Sequence, residues 1–327
     1  MNIFVTGGAG YVGSHCVKRL LDGEHRVTVF DNLVAGHRQA LDERADFVKG
    51  DLGSSAAIQD ALSATKFDAV MHFAAFLEVG ESVREPLKYY RNNVCNAVNL
   101  LEAMKRGGIR KIVFSSTCAV YGEPEDSPIT EDMLQQPINP YGRTKLAIEW
   151  MLRDSATAWG LGSVALRYFN AAGAAADGSN GEWHQPETHL IPLVLQVALG
   201  QRDVIKVFGN DYPTPDGSCV RDYIHVEDLA EVHARAVEGI NGSDAESYNV
   251  GTGVGQSVFD VIKACRDVTG HAIPHEVTPR RPGDPPTLYA NPAKLKRRYS
   301  WDPTYGTIAG TVETAWRWHN AHPNGFE

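Results

Sequence analysis

The chain has 327 residues, which predicts about two domains, or one large α/β domain with an appendage. Its formal charge is −9, from 31 Lys and Arg against 40 Asp and Glu, and this balance argues against a nucleic-acid or membrane-surface binder. The five cysteines lie far apart without a C-x-x-C spacing, which excludes common zinc spacings and a dense disulfide framework. The MNIFVTGG start shows no signal peptide, so we predict a cytoplasmic protein without nucleic-acid or membrane partners.

Over the first 170 residues, short apolar runs alternate with helical patterns. Runs rich in Val, Ile and Phe, without polar alternation, are typical of strands buried on both faces of a parallel sheet. The alternation predicts an α/β fold with a doubly wound parallel (Rossmann) sheet, and a ligand cleft along the carboxyl ends of its strands. The predicted strands are 2–7, 26–31, 45–51, 67–75, 110–117 and 163–170, and the predicted helices are 12–22, 54–64, 81–106 and 141–160.

The composition changes after residue 171. Residues 171–187 are rich in Gly, Ala and polar residues and predict a loop, followed by a helix at about 188–200. The segments 210–218 and 278–286 are dense in Pro, Gly and Asp, which is typical of binding loops. We therefore predict a smaller mixed α/β substrate domain after the sheet domain. The predicted bounds are 1–170 for the dinucleotide-binding domain, with a return near 219–253, and 171–327 for the substrate domain.

A glycine-rich turn joins the first strand to the first helix. Residues 6–13 read TGGAGYVG, in which Gly7, Gly10 and Gly13 form G-x-x-G-x-x-G. Such a site needs a tight turn and close backbone approach, which glycine permits. The helix N-terminus then directs free N–H groups and a positive dipole at a pyrophosphate. Between a strand and a helix, this pattern predicts a dinucleotide site.

Two carboxylates follow the next strands. Asp31 ends the second strand, where a carboxylate accepts hydrogen bonds from both adenosine ribose hydroxyls and repels a 2′-phosphate. NAD is therefore favoured over NADP, although Arg38 lies close enough in sequence to soften that preference. Asp51, after the third strand, is placed for the adenine.

Tyr141 and Lys145 lie four residues apart in YGRTK and share one face of a predicted helix. A tyrosine base at neutral pH needs its anion stabilised by about 4 kcal/mol. An adjacent ammonium and a cationic nicotinamide ring would supply that stabilisation, so the pair predicts oxidation of an alcohol. A further hydroxyl from the strand end FSST, namely Ser115, Ser116 or Thr117, would orient the substrate.

Seven motifs together resemble the extended short-chain dehydrogenase/reductase family, and within it the nucleotide-sugar 4-epimerases. They are TGGAGYVGSH, HFAAFLEVGESV, FSSTCAVYG, PYGRTK, LRYFNAAGA, FGNDYPTPDGSCVRDYIHV and RRPGD. The resemblance runs from residue 2 to about residue 290, and FGNDYPTPDG with VRDYIHV is its most specific part. It implies a homodimer, paired through its long helices, that interconverts UDP-glucose and UDP-galactose with NAD in galactose metabolism.

The resemblance also implies a mechanism. Tyr141 would take the proton of the 4′-hydroxyl while NAD takes the hydride from the 4-carbon. The 4-ketose intermediate would stay bound by its UDP, turn its other face and receive the hydride back. Lys145 would hold the nicotinamide ribose and keep Tyr141 anionic, and Thr117 would hydrogen-bond the 4′-oxygen.

Binding residues carry over by motif. Arg221 and Arg281 would bind the pyrophosphate, a task suited to guanidinium groups. Asp284 would accept hydrogen bonds from the UDP ribose. The implied cofactor residues are Gly7, Gly10, Tyr11, Val12, Gly13, Asp31, Asn32, Asp51, Leu52, Phe73, Ala74, Ala75, Asn92, Ser115, Tyr141, Lys145 and Tyr168. The implied substrate residues are Thr117, Tyr141, Asn170, His189, Leu190, Val207, Phe208, Arg221, Tyr223, Arg281, Asp284 and Leu288.

Two positions depart from the family pattern. Leu77 stands where many members have a lysine near the cofactor phosphates, and Leu288 stands at the gate beside the 2-substituent of the sugar. The intermediate size of Leu288 keeps UDP-GlcNAc/UDP-GalNAc 4-epimerisation open, and UDP-xylose and UDP-uronate remain open as substrates. A 4,6-dehydratase is disfavoured because Cys118 and Ala119 cannot protonate a leaving hydroxyl. A non-catalytic NAD sensor is disfavoured because the Tyr/Lys pair is present.

Three histidines receive no catalytic or metal role from the sequence. His72 lies in a predicted buried strand, which indicates a core histidine. His184 and His189 lie in the loop region, and without an acidic or thiol partner at ligand spacing we predict no metal site.

Overall fold

A computed structural model describes residues 1–281 and 283–326. The strands are β1 (Asn2–Thr6), β2 (Arg26–Asp31), β3 (Asp46–Lys49), β4 (Ala69–His72), β5 (Lys111–Thr117), β6 (Gly162–Tyr168), β7 (Asn170–Ala172), β8 (Ile205–Phe208), β9 (Val220–His225), β10 (Ala245–Val250), β11 (Gly255–Ser257), β12 (His275–Thr278) and β13 (Thr287–Leu288). The helices are α1 (Tyr11–Asp22), α2 (Ser55–Ser63), α3 (Val79–Arg84), α4 (Pro86–Tyr89), α5 (Asn96–Gly107), α6 (Pro140–Trp159), α7 (Leu190–Ala198), α8 (Val226–Glu238), α9 (Val258–Thr269), α10 (Ala293–Tyr299) and α11 (Ile308–Ala321).

Seven parallel strands form the main sheet, in the order β10-β6-β5-β4-β1-β2-β3. The strand order reverses between β1 and β4. Thr6, at the carboxyl end of β1, pairs in register with Phe30 of β2 on one side and with His72 of β4 on the other. In open α/β sheets, ligands bind outside the carboxyl ends of the strands at such a switch point. The predicted α/β class with a doubly wound parallel sheet and a smaller mixed α/β part is confirmed.

The main sheet is buried on both faces, as its apolar strands predict. Ile3 and Val5 of β1 pack into one hydrophobic cluster, whereas Phe4 points to a second cluster on the opposite face. This alternation follows from the pleat of the strand. A third cluster joins α7, α9 and α11 through Val194, Val261 and other apolar side chains, and it forms the core of the smaller part.

The segment 219–253 divides between two sheets. β10 pairs in parallel with β6 and extends the main sheet. β9 instead pairs with β7, β11 and β13 in a separate four-stranded sheet, and β8 pairs with β12. The domain bounds stay a prediction, because the chain crosses between the two parts more than once.

The predicted continuous helix over 81–106 is wrong. The structure divides it into α3, α4, a π-helical turn over Tyr90–Cys95, and α5. Pro86 explains the first break, because proline lacks an N–H and disfavours helical backbone in the preceding residue. Glu85 accordingly adopts φ −126° and ψ 57°.

Several strand bounds also differ from the prediction. β3 covers 46–49 rather than 45–51, and the predicted strand 163–170 is divided between β6 and β7. β4 ends at His72 rather than at residue 75, because the chain leaves the sheet and the backbone N–H groups of Phe73 and Ala74 both donate to the Thr6 carbonyl. The predicted loop 171–187 begins inside β7, which ends at Ala172. Within the described part of the chain, every helix is too short or too polar to cross a membrane.

Candidate functional site

The glycine turn leaves no room for side chains. Gly7 has φ +73°, in the left-handed region, and a Cβ there would collide with the backbone of Ala74. A Cβ on Gly13 would collide with the Gly7 carbonyl oxygen. Gly10 precedes α1, whose first N–H groups, on Tyr11 and Val12, have no acceptor one turn earlier in a helix. These donors and the helix dipole suit an anion at this edge of the sheet.

A cleft opens beside the glycine turn at the carboxyl ends of β1 and β2. Asp31 is buried there, and its carboxylate accepts from the N–H of Ala9 (3.0 Å) and of Leu33 (2.8 Å). The Asn32 amide donates to Asp51 at 2.7 Å. The cleft is lined by Gly7, Phe30, Asp31, Asn32, Gly50, Leu52, Ala74, Asn92 and Asn96.

This cleft brings together six of the predicted cofactor residues and adds Phe30, Gly50 and Asn96, which the sequence analysis missed. The available signal for Gly50 was a glycine at the end of a predicted strand. In the structure a Cβ at this position would collide with the Phe30 ring. Asp51 lies just outside the lining, bonded to Asn32. The polar side chains of the cleft therefore suit the hydroxyl groups of a nucleoside next to the anion-binding turn.

Other predicted cofactor residues lie just after β4 and in the glycine turn. Phe73 packs against His233, with ring centroids 4.9 Å apart, and Ala75 follows where the chain has left β4. The Tyr11 hydroxyl donates to the Gly173 carbonyl at 2.7 Å, so it bridges the glycine turn and the segment after β7. Leu77 is 39% exposed and offers no charge to a phosphate.

The carboxyl end of β5 meets the start of α6. Asn139 caps α6 by accepting from the Gly142 N–H at 2.8 Å, and Pro140 occupies the first turn. One turn in, Lys145 is buried, with Nζ donating to the Ser115 carbonyl at 2.8 Å and lying 5.9 Å from the centre of the Tyr141 ring. The helix therefore brings Tyr141 and Lys145 to one place, as their spacing predicts.

Burial governs the electrostatics of this pair. Burial lowers the pKa of Lys145 to about 7. Burial also raises the pKa of Tyr141 above its ordinary value, with Tyr168 adding to the rise, while hydrogen bonding with Thr117 lowers it. The chain alone thus keeps Tyr141 protonated at neutral pH, and a tyrosinate needs a further positive charge nearby.

The predicted hydroxyl groups are held by β5 and β6. The Thr117 hydroxyl accepts from the Ala119 N–H at 3.2 Å, and Thr117 pairs in register with Tyr168. Ser115 and Tyr168 share a hydrogen bond of 2.7 Å, and burial raises the pKa of Tyr168 to about 12. Of the three candidate hydroxyls, Ser116 points away, because it donates to Glu149 at 2.6 Å.

That contact belongs to a buried polar network which the sequence analysis missed. Glu149, on α6, accepts from Arg167, on β6, at 3.0 Å and 2.6 Å in a bidentate pair. Arg167 also donates to the Tyr121 hydroxyl at 2.7 Å. The available sequence signal for this network was Arg167, a charged residue inside the apolar run SVALRYFN. Its partner, Glu149, lies 18 residues earlier in the chain.

Five predicted substrate residues gather around β9. Arg221 forms an ion pair with Asp284 at 2.9 Å, and Leu288 lies opposite Arg221 in the β13–β9 register. The Asn170 amide donates to the Asp222 carbonyl, and Asn170 pairs in register with Tyr223. Tyr223 itself is buried in the third hydrophobic cluster.

The remaining predicted substrate residues lie on β8 and the loop after β12. The Arg281 guanidinium lies 3.8 Å from the centre of the Phe208 ring, within cation–π distance. Val207, next to Phe208, is buried in the third cluster, so its side chain packs in the core.

His189 and Leu190 lie at the start of α7, and here one premise of the sequence analysis is wrong. His189 and His184 do have acidic partners, since Glu182 and Glu187 face them. Burial lowers the pKa of His184, but the two carboxylates outweigh it and raise that pKa to about 9. His72, in contrast, is a buried core residue, as predicted, with Nδ1 bonded to the Thr6 hydroxyl at 2.7 Å.

Residues 3–251 of the chain match the NAD dependent epimerase/dehydratase family. A UDP-glucose 4-epimerase from Lacticaseibacillus casei is 50% identical over 327 residues, which is 100% of this chain and 99% of the relative. The crystal structure of a UDP-glucose 4-epimerase from Bifidobacterium longum, in complex with NAD+ and UDP, matches with a TM-score of 0.95 and 38% identity over 99% of this chain and 100% of that chain. A UDP-Glc/GlcNAc 4-epimerase from Campylobacter jejuni matches with a TM-score of 0.86 and 39% identity over 98% and 99% of the two chains. By sequence and by fold, this chain belongs to the NAD dependent epimerase/dehydratase family.

Proposed function

We propose that this chain interconverts UDP-glucose and UDP-galactose at the 4-carbon of the hexose, with NAD as its cofactor. The observation that carries the proposal is the meeting of Tyr141, Lys145 and Thr117 at the carboxyl ends of the main sheet. A proton acceptor, a cation and an orienting hydroxyl are the groups that oxidation of a secondary alcohol requires. The L. casei relative named for this reaction aligns over the whole chain.

The chain's own residues fit NAD. The glycine turn, which any Cβ at Gly7 or Gly13 would fill, takes the pyrophosphate at the start of α1. Asp31 faces the adjoining nucleoside cleft and favours ribose hydroxyls over a 2′-phosphate. When bound, NAD would supply the group that accepts the hydride from the 4-carbon and later gives that hydride back.

Tyr141 then holds and moves the proton of the 4-hydroxyl. Thr117 orients that hydroxyl, because its side chain lies at the end of β5 and interacts with Tyr141. Lys145 binds the cofactor ribose and adds positive charge beside Tyr141 whenever it is protonated. The same tyrosine would return the proton to the ketone oxygen whichever face of the 4-carbon receives the hydride, which is what an interconversion without net oxidation requires.

The second part of the site holds the UDP. Arg221 and Arg281 lie on loops and strands beside the sheet edge and supply guanidinium groups for the pyrophosphate. In the structure these groups are paired with Asp284 and with the Phe208 ring, respectively. Substrate binding would exchange these partners for phosphate oxygens and uracil. Because only a few cations are needed, a net charge of −9 is compatible with an anionic substrate.

A second candidate activity is the 4-epimerisation of N-acetylated UDP-hexoses. Leu288, at the predicted gate, is a half-buried aliphatic side chain of intermediate size, opposite Arg221. The C. jejuni relative is named as an enzyme of both UDP-Glc and UDP-GlcNAc. UDP-xylose and UDP-uronates also remain candidate substrates, since they differ from hexoses at the 5-carbon and not in the hydride chemistry.

We also propose a cytoplasmic homodimer. Six large apolar side chains on the helical segments from α3 to α6 are exposed by 37–76%: Val79, Val83, Leu87, Tyr90, Val98 and Trp150. Burying such a face against a second copy would remove apolar surface from water. The five cysteines, all within the described residues, are free thiols, which suits a reducing compartment.

The experiment compares Tyr141→Phe with the wild type by following the anomeric proton signals of UDP-glucose and UDP-galactose. We expect the variant to lose about 10²–10⁴-fold in turnover while it keeps bound NAD. Tyr248→Phe is the matched control, because its hydroxyl bonds Glu246 away from the site and its loss leaves turnover intact. Wild-type turnover in Tyr141→Phe would overturn the assignment of the base, and a wild type inactive on every UDP-hexose would overturn the proposed function.

A further inference from the structure

Four side chains converge in the segment between β7 and α7. We call Glu182, His184, Glu187 and His189 the Glu–His cluster, and one ligand atom from each lies within 4.8 Å of every other. The His184 Nδ1 atom lies 3.4 Å from Glu182 and 3.6 Å from Glu187. The His189 Nδ1 atom lies 3.0 Å from Glu182 and 2.9 Å from Glu187. Both carboxylates are almost fully buried, with side-chain exposures of 4% and 6%.

These separations fit the edges of a tetrahedron around one metal ion. Zinc binds histidine nitrogen and carboxylate oxygen at about 2.0–2.2 Å, so adjacent ligand atoms in a tetrahedral site lie about 3.3–3.5 Å apart. The four nitrogen–oxygen separations of the cluster are 2.9–3.6 Å, close to that value. Glu187 faces His184 through Oε2 and His189 through Oε1, so its carboxylate would bind the ion through either oxygen. Two neutral imidazoles and two carboxylates also balance the charge of a divalent cation.

Hydrogen bonding within the cluster satisfies only one of its two Nδ1 atoms, that of His189, which bonds Glu187 at 2.9 Å. The His189 Nδ1 atom faces two carboxylates but can carry only one proton. The His184 Nδ1 atom is buried and makes no hydrogen bond. A buried polar atom without a partner is costly and calls for an explanation, such as an ion. A single cation would bind all four groups at once.

We propose that the Glu–His cluster binds one zinc ion in a structural site. Four protein ligands leave no open position, which is the pattern of structural rather than catalytic zinc. Nitrogen and oxygen ligands in a tetrahedron suit zinc better than calcium or magnesium, which prefer more oxygen ligands. His189 is 36% exposed and gives the ion a path of entry from solvent.

The position of the cluster indicates what the zinc would hold together. His189 directly precedes α7, and the neighbouring Thr188 hydroxyl donates to Glu78, just before α3. The His184 ring makes an edge contact with Tyr11 of the glycine turn, with centroids 6.4 Å apart. The zinc would therefore fix the segment after β7 against both the cofactor turn and the first helix of the sugar part.

The protein is expressed with added zinc and purified as the holoenzyme by gel filtration. Elemental analysis then measures its metal content. We expect about one zinc per chain in the wild type and less than about a tenth of that in Glu182→Gln and in His184→Asn. His25→Asn is the matched control, because His25 lies 2.9 Å from a single carboxylate, Glu238, and its loss leaves the zinc content unchanged.

A second measurement does not depend on folding of the variants. Cobalt replaces zinc in the wild type after chelation, and the strong visible absorption of tetrahedral cobalt, displaced by added zinc, supports the site. Wild type without zinc and without uptake of cobalt would overturn the proposal and leave the cluster as an ion-pair network. Zinc content unchanged in both ligand variants, or another metal at full occupancy, would overturn it as well. Because these readouts do not use sugar turnover, they are independent of the proposed epimerase activity.

Discussion

Replacing Glu149 by glutamine should strongly destabilise the fold, although the change alters few atoms. Glu149 accepts three hydrogen bonds, two from the Arg167 guanidinium and one from the Ser116 hydroxyl. Glutamine supplies one oxygen and one NH₂ group, so at least one donor of this set then faces another donor. The variant also leaves the Arg167 charge unpaired, where its side chain is 2% exposed.

The size of the effect follows from that burial. Removing one partner of a buried ion pair costs about 3–5 kcal/mol, because the remaining charge stays desolvated without compensation. For a chain of this size, each kcal/mol lowers the melting temperature by about 2 °C, so Glu149→Gln should melt about 6–10 °C lower. The exposed pair of Lys263 and Asp267, with side chains 75% and 62% exposed, is the control. Asp267→Asn should cost less than about 0.5 kcal/mol.

Chemical unfolding followed by tryptophan fluorescence gives the free energies, and calorimetry gives the melting temperatures. The double variant Glu149→Leu with Arg167→Met separates charge from packing, since removal of both partners should recover most of the loss. A Glu149→Gln variant within 1 kcal/mol of the wild type would refute the reasoning, as would a double variant less stable than Glu149→Gln.

Three further predictions follow from the site and the surface. Leu288→Tyr should lower turnover of UDP-GlcNAc at least about tenfold and leave UDP-glucose turnover nearly unchanged, as measured on both sugars in parallel; equal loss on both would contradict the gate role. Burial lowers the pKa of Lys145 to about 7, so the folded chain disfavours the charged ammonium. This lowers the free energy of unfolding fully below pH 7, and the loss disappears toward pH 10, where the lysine of the unfolded chain also becomes neutral. The free energy of unfolding of the cofactor-free wild type should therefore rise relative to Lys145→Met over that range, and a constant difference in urea titrations would contradict the cause. Leu87→Asp, at a side chain 76% exposed, should shift sedimentation from dimer to monomer without unfolding, whereas a monomeric wild type would contradict the proposed interface.

The main sheet could be predicted because its strands are apolar throughout and are separated by helical patterns of ordinary length. Local chemistry was less visible where it depended on contacts distant in the chain. Glu149 and Arg167 looked like one helix residue and one strand residue, and only the pairing of α6 with β6 joins them. Pro86 did mark the break after α3, but the apolar pattern on either side favoured one continuous helix.

The Glu–His cluster was missed for a different reason, since all of its residues lie within eight positions. The sequence G-E-W-H-Q-P-E-T-H places a carboxylate two residues before each histidine. An irregular segment has no fixed period, however, so spacing alone did not show that the four side chains face one another. The convergence became visible only with the backbone path between β7 and α7.

The two parts of the site are electrostatically incomplete without their ligands, and this links binding to chemistry. Burial keeps the pKa of Tyr141 above its ordinary value and brings the pKa of Lys145 to about 7, so the cofactor-free pair lacks the tyrosinate that proton removal needs. The positive nicotinamide ring near Tyr141 and Lys145 would favour the anionic tyrosine. In the substrate part, Arg221 is paired with Asp284, and the phosphates of UDP would compete for it. Binding of NAD would therefore favour proton removal, because its nicotinamide ring supplies a positive charge near Tyr141. A chain with an overall charge of −9 can hold two anionic ligands for the same reason: each cation is placed where a ligand charge will arrive.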